Sequence, residues 1–200
     1  MSSASRHVSG LDRVIANPEL LRPGPLGLLT HFAAVTADLA RGVDALSAAG
    51  LDVQCLISPE HGYWGSGQAG DGSDADRDAV TGLPILDAYG AQGAVLDRML
   101  SSAGIHHLVV DLQDIGCRFY TYLWSMVDAM DTCARLGLPV TVLDRPAPLP
   151  TTAAGPGLDP ELASFVGRLG FPLRHGTRIG DLARTVAARH LDHDLDLLWE

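Results

Sequence analysis

Cysteine is sparse in this chain. The three present, Cys55, Cys117 and Cys133, are odd in number, lie far apart and form no C-x-x-C pair. That excludes a disulfide framework or a zinc knuckle and leaves buried free thiols as the reading. Basic residues are also short: 14 Lys and Arg stand against 24 Asp and Glu, for a formal charge of −10. The positive charges fall singly rather than in runs, which argues against nucleic acid or an anionic membrane as partner. The opening stretch, MSSASRHVSGLDRVIANP, has no apolar segment of a secretory leader. No later stretch approaches the roughly 18 apolar residues that span a bilayer. As written, the chain reads as a cytoplasmic protein without a membrane span.

What is present is enough for a core. Hydrophobic residues make up 46% of 200 positions, and they fall in short runs separated by helical patterns. The runs are LGLLTH (26–31), DVQCLIS (52–58), HHLVVDLQD (106–114) and PVTVLD (139–144), with helices expected around 38–49, 92–103 and 121–136. Runs that are apolar on both faces suit parallel strands covered by helices on each side. The expected fold class is therefore α/β: a Rossmann-like, doubly wound, mostly parallel sheet with helices on both faces.

In the helix near 121, Met126, Val127, Met130 and Cys133 or Ala134 form an apolar stripe assigned to core, and Gly137 and Pro139 end it. Residues 146–163 open with PAPLPTTAAGPGLDP, too rich in proline and glycine for a regular element, and read as a long ordered loop or lid. A last helix is expected from a cap at Thr177 to about His190. The expected division is a catalytic domain at 1–190, with 191–200 (ending LDLLWE) as the start of a second domain.

In an open parallel sheet, ligands bind outside the carboxyl ends of the strands. The residues at those ends are His31, then Glu60 and His61, then Asp111, Gln113 and Asp114, then Asp144 and Arg145. A purely structural sheet has no need of ionisable groups at every strand end, whereas a catalytic crevice does. Glu60 sits in Pro-Glu-His-Gly, where Pro59 fixes one dihedral and Gly62 permits a turn, so its carboxylate is expected to project from a rigid elbow.

Only 6% of the residues are aromatic, yet Phe119, Tyr120, Tyr122 and Trp124 crowd around Arg118 in GCRFYTYLWS. Flat faces beside a guanidinium suit a sugar bearing a carboxylate. Phe119 and Trp124 are assigned to core, and the two tyrosines are left open. Gly65, Gly67 and Gly70 spell G-x-G-x-x-G but run on into DGSDADRD, which opens no helix, so they read as a flexible loop over the crevice rather than a dinucleotide site. His190, Asp192, His193 and Asp194 read as a solvated helix end, not a metal site.

Six ordered blocks carry a family resemblance: ISPEHGYWG (57–65), TGLPILDAYG (81–90), VVDLQDIGCRFYTY (109–122), VLDRPAP (142–148), SFVG (164–167) and RHGTRIGDLA (174–183). Together they resemble the exo-β-N-acetylmuramidases of glycoside hydrolase family 171, formerly a bacterial family of unknown function. The resemblance implies release of N-acetylmuramic acid from the non-reducing ends of peptidoglycan fragments such as MurNAc-GlcNAc saccharides, without a cofactor, by a Rossmann-like domain followed by a smaller one. It implies Glu60 as acid/base, with Asp111, Asp114 or Tyr120 as the second catalytic group. Arg118, Arg145 and His175 are candidates for gripping the lactyl carboxylate, and His31, His61, Tyr122 and Asp144 complete the substrate-binding set. The family usually has Asn where His31 and Ala147 stand. Two other readings remain open: a metal-dependent hydrolase using Glu60, His61, Asp111 and Asp114, and a non-catalytic muramyl-sugar-binding module.

Overall fold

The computed structural model describes residues 8–71, 76–190 and 195–198. Asp192, His193 and Asp194, and the 72–75 part of the glycine-rich loop, lie outside these. The chain contains no lysine, so every basic member of an ion pair is an arginine or a histidine.

In chain order the elements are α1 (Gly10–Ala16), β1 (Leu26–Thr30), α2 (Gly42–Ala48), β2 (Val53–Ser58), β3 (Ile85–Asp87), α3 (Ala94–Ser102), β4 (His107–Asp111), α4 (Tyr122–Leu136), β5 (Val140–Leu143), α5 (Ile179–His190) and β6 (Leu195–Leu198). The six strands form one sheet in the order β3-β2-β1-β4-β5-β6, with every pairing parallel. This is the doubly wound arrangement expected of strands that are buried on both faces.

Alternation along each strand divides the core in two. Leu26, Leu28, Leu56, Val109 and Leu143 face Leu11 and Val14 of α1 and Val43 and Leu46 of α2. Leu29, Ile57, Leu108, Val110 and Val142 face α3, α4 and α5 through Leu96, Leu100, Trp124, Met126, Met130, Leu182 and Val186. The α4 stripe is thus core, and Gly137, left-handed at φ 65°, ends the helix as expected.

Several boundaries depart from the sequence reading. The helix expected from residue 38 begins at Gly42, because Thr36 and Ala40 close a tight turn, the Thr36 N–H donating to the Ala40 carbonyl at 2.9 Å. Residues Leu195–Leu198, expected to begin a second domain, pair in parallel with β5 as a sixth strand of this sheet. Helix α1, absent from the sequence reading, is set by a capping box in which the Ser9 side chain accepts from the Asp12 N–H and the Asp12 carboxylate reaches back to Ser9. It packs so closely that a Cβ on Gly10 would lie 2.7 Å from the Leu143 Cα, and the Gly10 N–H donates to the Asp144 carbonyl at 2.8 Å.

Among the described residues no helix is long and apolar enough to cross a membrane.

Candidate active site

Strand order reverses between β1 and β4, which splays the following loops apart and leaves a crevice at their carboxyl ends. His31 and Phe32 leave β1 there, Gln113 and Asp114 follow β4, and Glu60 arrives from the adjacent β2.

The elbow carrying Glu60 is a genuine turn. The Gly62 N–H donates to the Pro59 carbonyl at 3.1 Å, and both His61 (φ 70°) and Gly62 (φ 73°) are left-handed. A non-glycine residue in that region carries a conformational cost that neighbouring contacts must offset. Here the His61 N–H donates to the Asp71 carbonyl, the Gly67 N–H to the His61 carbonyl, and His61 Nδ1 lies 3.1 Å from the Gly67 carbonyl oxygen. His61 therefore ties the glycine-rich loop to the elbow. The half-buried Glu60 carboxylate accepts from two sides: the Gly70 N–H at 3.0 Å on Oε1 and the Thr121 hydroxyl at 2.7 Å on Oε2. Phe32, half exposed, lies over Gly65, where any Cβ would come within 2.4 Å of the ring.

Across the crevice, the loop after β4 is laced to residues 173–175. The Arg118 N–H donates to the Leu173 carbonyl and the His175 N–H to that of Gly116. This brings His175 Nε2 to 3.2 Å from Asp114 Oδ2, which also accepts the Gly116 N–H at 2.7 Å. Asp114 Oδ1, buried, has no hydrogen-bond partner among the described residues. Tyr120 packs on Tyr122, ring centroids 4.6 Å apart. Burial pushes the Tyr120 hydroxyl up, with Tyr122 and Asp114 adding to it. Burial also raises Tyr122, a shift opposed by its hydrogen bond with Tyr120 and reinforced by Glu60. Both phenols therefore stay protonated in neutral solution, as hydrogen-bond donors rather than phenolates.

Other expected site residues support the crevice from behind. Asp111 is completely buried and held by Arg145 in a two-point pair, 2.6 and 2.9 Å, while Arg145 Nη1 donates to the Val35 carbonyl. Both Asp111 oxygens are taken and both side chains are shielded, so neither offers the catalytic or substrate contact expected of it. Asp144 is equally occupied: its Oδ1 accepts the Gly180 N–H at 2.8 Å at the start of α5, and Oδ2 lies 2.7 Å from Arg178 Nε. The cap expected of Thr177 is thus supplied by Asp144, and the Thr177 hydroxyl sits instead 3.1 Å from His175 Nδ1. Arg118 Nη1 donates to the carbonyls of Pro156 and Phe171, so this arginine anchors the proline-rich segment. Trp124 is core as expected, but Phe119 is 50% exposed. Among the described residues no three of His, Cys, Asp and Glu gather in a metal-binding arrangement.

His31 is only 2% exposed, so it forms the floor beneath the crevice rather than the substrate contact expected of it. Its Nε2 accepts the Gln113 N–H at 3.1 Å, bridging β1 and β4, and its ring meets Tyr122 edge-on at 4.7 Å. Burial, and then the charge of Arg145, lower its pKa from 6.5 to about 4. Between these values the unfolded chain binds the proton and the folded one does not. The stability His31 contributes is complete above the unfolded pKa and is lost as pH falls towards the folded one. We expect about 2 kcal/mol less stability at about pH 5 than at about pH 7 from this group. Urea titrations of the wild type and His31→Asn check it; identical pH slopes in the two proteins would count against the assignment.

The family profile described as "Exo-beta-N-acetylmuramidase NamZ, N-terminal" matches residues 26–198. The chain belongs to this family. It is 39% identical over 178 residues to the peptidoglycan beta-N-acetylmuramidase NamZ of Bacillus subtilis strain 168, an alignment covering 88% of this chain and 42% of that protein. Crystal structures of two DUF1343 family proteins from Bacteroides fragilis superpose with TM-scores of 0.79 and 0.84 at 30% and 29% identity, covering 98% and 96% of this chain and 52% and 50% of theirs. The chain thus spans about half the length of these relatives.

The domain holds its crevice with residues that sequence reasoning passed over. Arg41 lies over the rings of Tyr63 and Trp64, at 5.5 and 4.9 Å, and donates to Asp78 at 2.8 Å, which braces the elbow from outside. Phe32, Trp64 and Phe119, each 44–50% exposed, offer flat apolar surface. Thr121, at the start of the expected 121–136 helix, drew no separate notice in the sequence.

Proposed function

We propose that this chain is the catalytic domain of a glycoside hydrolase that releases terminal N-acetylmuramic acid from peptidoglycan fragments in cell-wall turnover. The observation that carries the proposal is Glu60: a carboxylate on a strained elbow at the strand-order reversal, gripped through both oxygens, facing a crevice that also holds Asp114. Hydrolysis of a glycoside requires a proton for the leaving oxygen and a group that stabilises the oxocarbenium-like centre or activates water. Glu60 is the acid/base. Asp114, oriented by the Gly116 N–H and 3.2 Å from His175 Nε2, is the second carboxylate; buried as it is, it acts as a fixed charge beneath the oxocarbenium-like centre rather than by direct contact.

The bond between the anomeric carbon and the leaving oxygen breaks as that oxygen takes a proton. Water then supplies the new hydroxyl and gives up a proton, which restores the acid. Tyr120, still protonated, donates to the sugar. The exposed rings of Phe32, Trp64 and Phe119 stack on pyranose faces. Arg118 has N–H groups beyond the two carbonyls it holds, and these bind the lactyl carboxylate that separates muramic acid from N-acetylglucosamine.

The test is product identity. Incubation with MurNAc-GlcNAc should release free N-acetylmuramic acid, seen by mass spectrometry, with chitobiose turned over at least about tenfold more slowly, since a site built for a charged group penalises its absence. Binding of the disaccharide without cleavage would point instead to a sugar-binding module.

A further inference from the structure

Thr121 immediately precedes α4, where a threonine ordinarily turns its hydroxyl to the first free N–H groups of the helix. It does not do so here. The residue sits at φ −69°, ψ −16°, helical rather than extended, and its side chain makes no capping hydrogen bond. The hydroxyl is directed across the crevice to Glu60 Oε2, 2.7 Å away, a contact spanning 61 positions in sequence. Thr121 is 7% exposed, so water competes little for this bond. The backbone of Thr121 still serves the helix, its carbonyl accepting from the N–H groups of Trp124 and Ser125. The residue is thus divided, its main chain opening α4 and its hydroxyl committed to the carboxylate.

Two donors therefore hold Glu60 from opposite elements, the Thr121 hydroxyl from α4 and the Gly70 N–H from the glycine-rich loop. A carboxylate side chain has rotatable bonds, and a reacting group misplaced by about 1 Å can lose on the order of a hundredfold in rate. The loop donor is half of the grip; Thr121, on the end of a 15-residue helix whose core face is buried, is the fixed half. We infer that Thr121 is the positioning residue for Glu60, giving up its cap role to fix the direction in which the carboxylate faces the substrate. The inference rests on the reading of Glu60 as catalytic.

The chain has four glutamates, Glu19, Glu60, Glu161 and Glu200, so selective carboxyl-¹³C labelling makes the Glu60 resonance assignable by its loss in Glu60→Gln. In Thr121→Val, which keeps the shape and removes the hydroxyl, that resonance should move and kcat should fall about tenfold to a hundredfold with KM within about twofold. Thr121→Ser should restore both. The thermal midpoint of Thr121→Val should fall by no more than a few degrees, because the hydroxyl caps nothing and Glu60 keeps the Gly70 N–H. An unmoved resonance, or undiminished kcat in Thr121→Val while Glu60→Gln is inactive, would overturn the inference alone. Undiminished turnover in Glu60→Gln would overturn the catalytic reading and the inference with it.

Discussion

Replacing Glu60 by Gln should lower turnover of MurNAc-GlcNAc by about 10²–10⁴, the range in which a positioned acid/base contributes. The substitution keeps the size of the side chain. Its amide oxygen can still accept one of the two donors, and the Thr121 hydroxyl can accept from the amide N–H. The fold should therefore survive, with a thermal midpoint within a few degrees of wild type, and the loss should lie in kcat rather than KM. Wild-type kcat in a folded Glu60→Gln protein would remove Glu60 from the mechanism. A parallel Asp114→Asn measurement shows whether the carboxylate beside His175 shares the chemistry.

The largest expected effect on stability belongs to Asp111→Ala. Arg145 is about 5% exposed and faces Asp111 with two of its nitrogens, so removing the carboxylate strands a guanidinium charge in the core of the sheet end. Breaking a buried pair in this way costs about 3–5 kcal/mol. Urea denaturation should show the loss as a shifted midpoint with little change in slope. The double variant Asp111→Leu with Arg145→Met should recover much of it, because no unpaired charge remains. Additive losses in the double variant would show that the two side chains do not act as a pair.

The middle of the sheet was legible because β1, β4 and β5 are buried on both faces, and strings such as LGLLT and HLVVD meet that condition. Edge elements escaped for the complementary reason. Strand β3 is the three-residue segment Ile85–Asp87, too short to show a period, and its place comes from pairing with β2. Helix α1 did carry a local signal, Ser9 three residues before Asp12, in a stretch weighed only as a leader.

The site residues divide along the same line. Glu60 was visible because an elbow is local: proline before it, glycine after it. The roles of Asp111, Asp144, Arg145 and Thr121 were hidden because their partners lie 34 to 110 positions away. Adjacent Asp144 and Arg145 invite a local pair, yet each bonds to a different distant element. A polar residue at a strand end thus gives no sign, within its own neighbourhood, of whether it faces the crevice or braces it.

The contact of Gly10 with the end of β5 bears on how the molecule is made. The first helix docks on a strand that leaves the ribosome more than a hundred residues later, with the Gly10 N–H bonded to the carbonyl of Asp144. At about 5–20 residues per second, α1 waits on the order of ten seconds during synthesis before the β5 side of its seat exists. Leu11 and Val14 can meet β1 and α2 early in that interval, but the close approach of Gly10 to the chain, which no side chain larger than hydrogen would allow, is completed only once β5 has emerged.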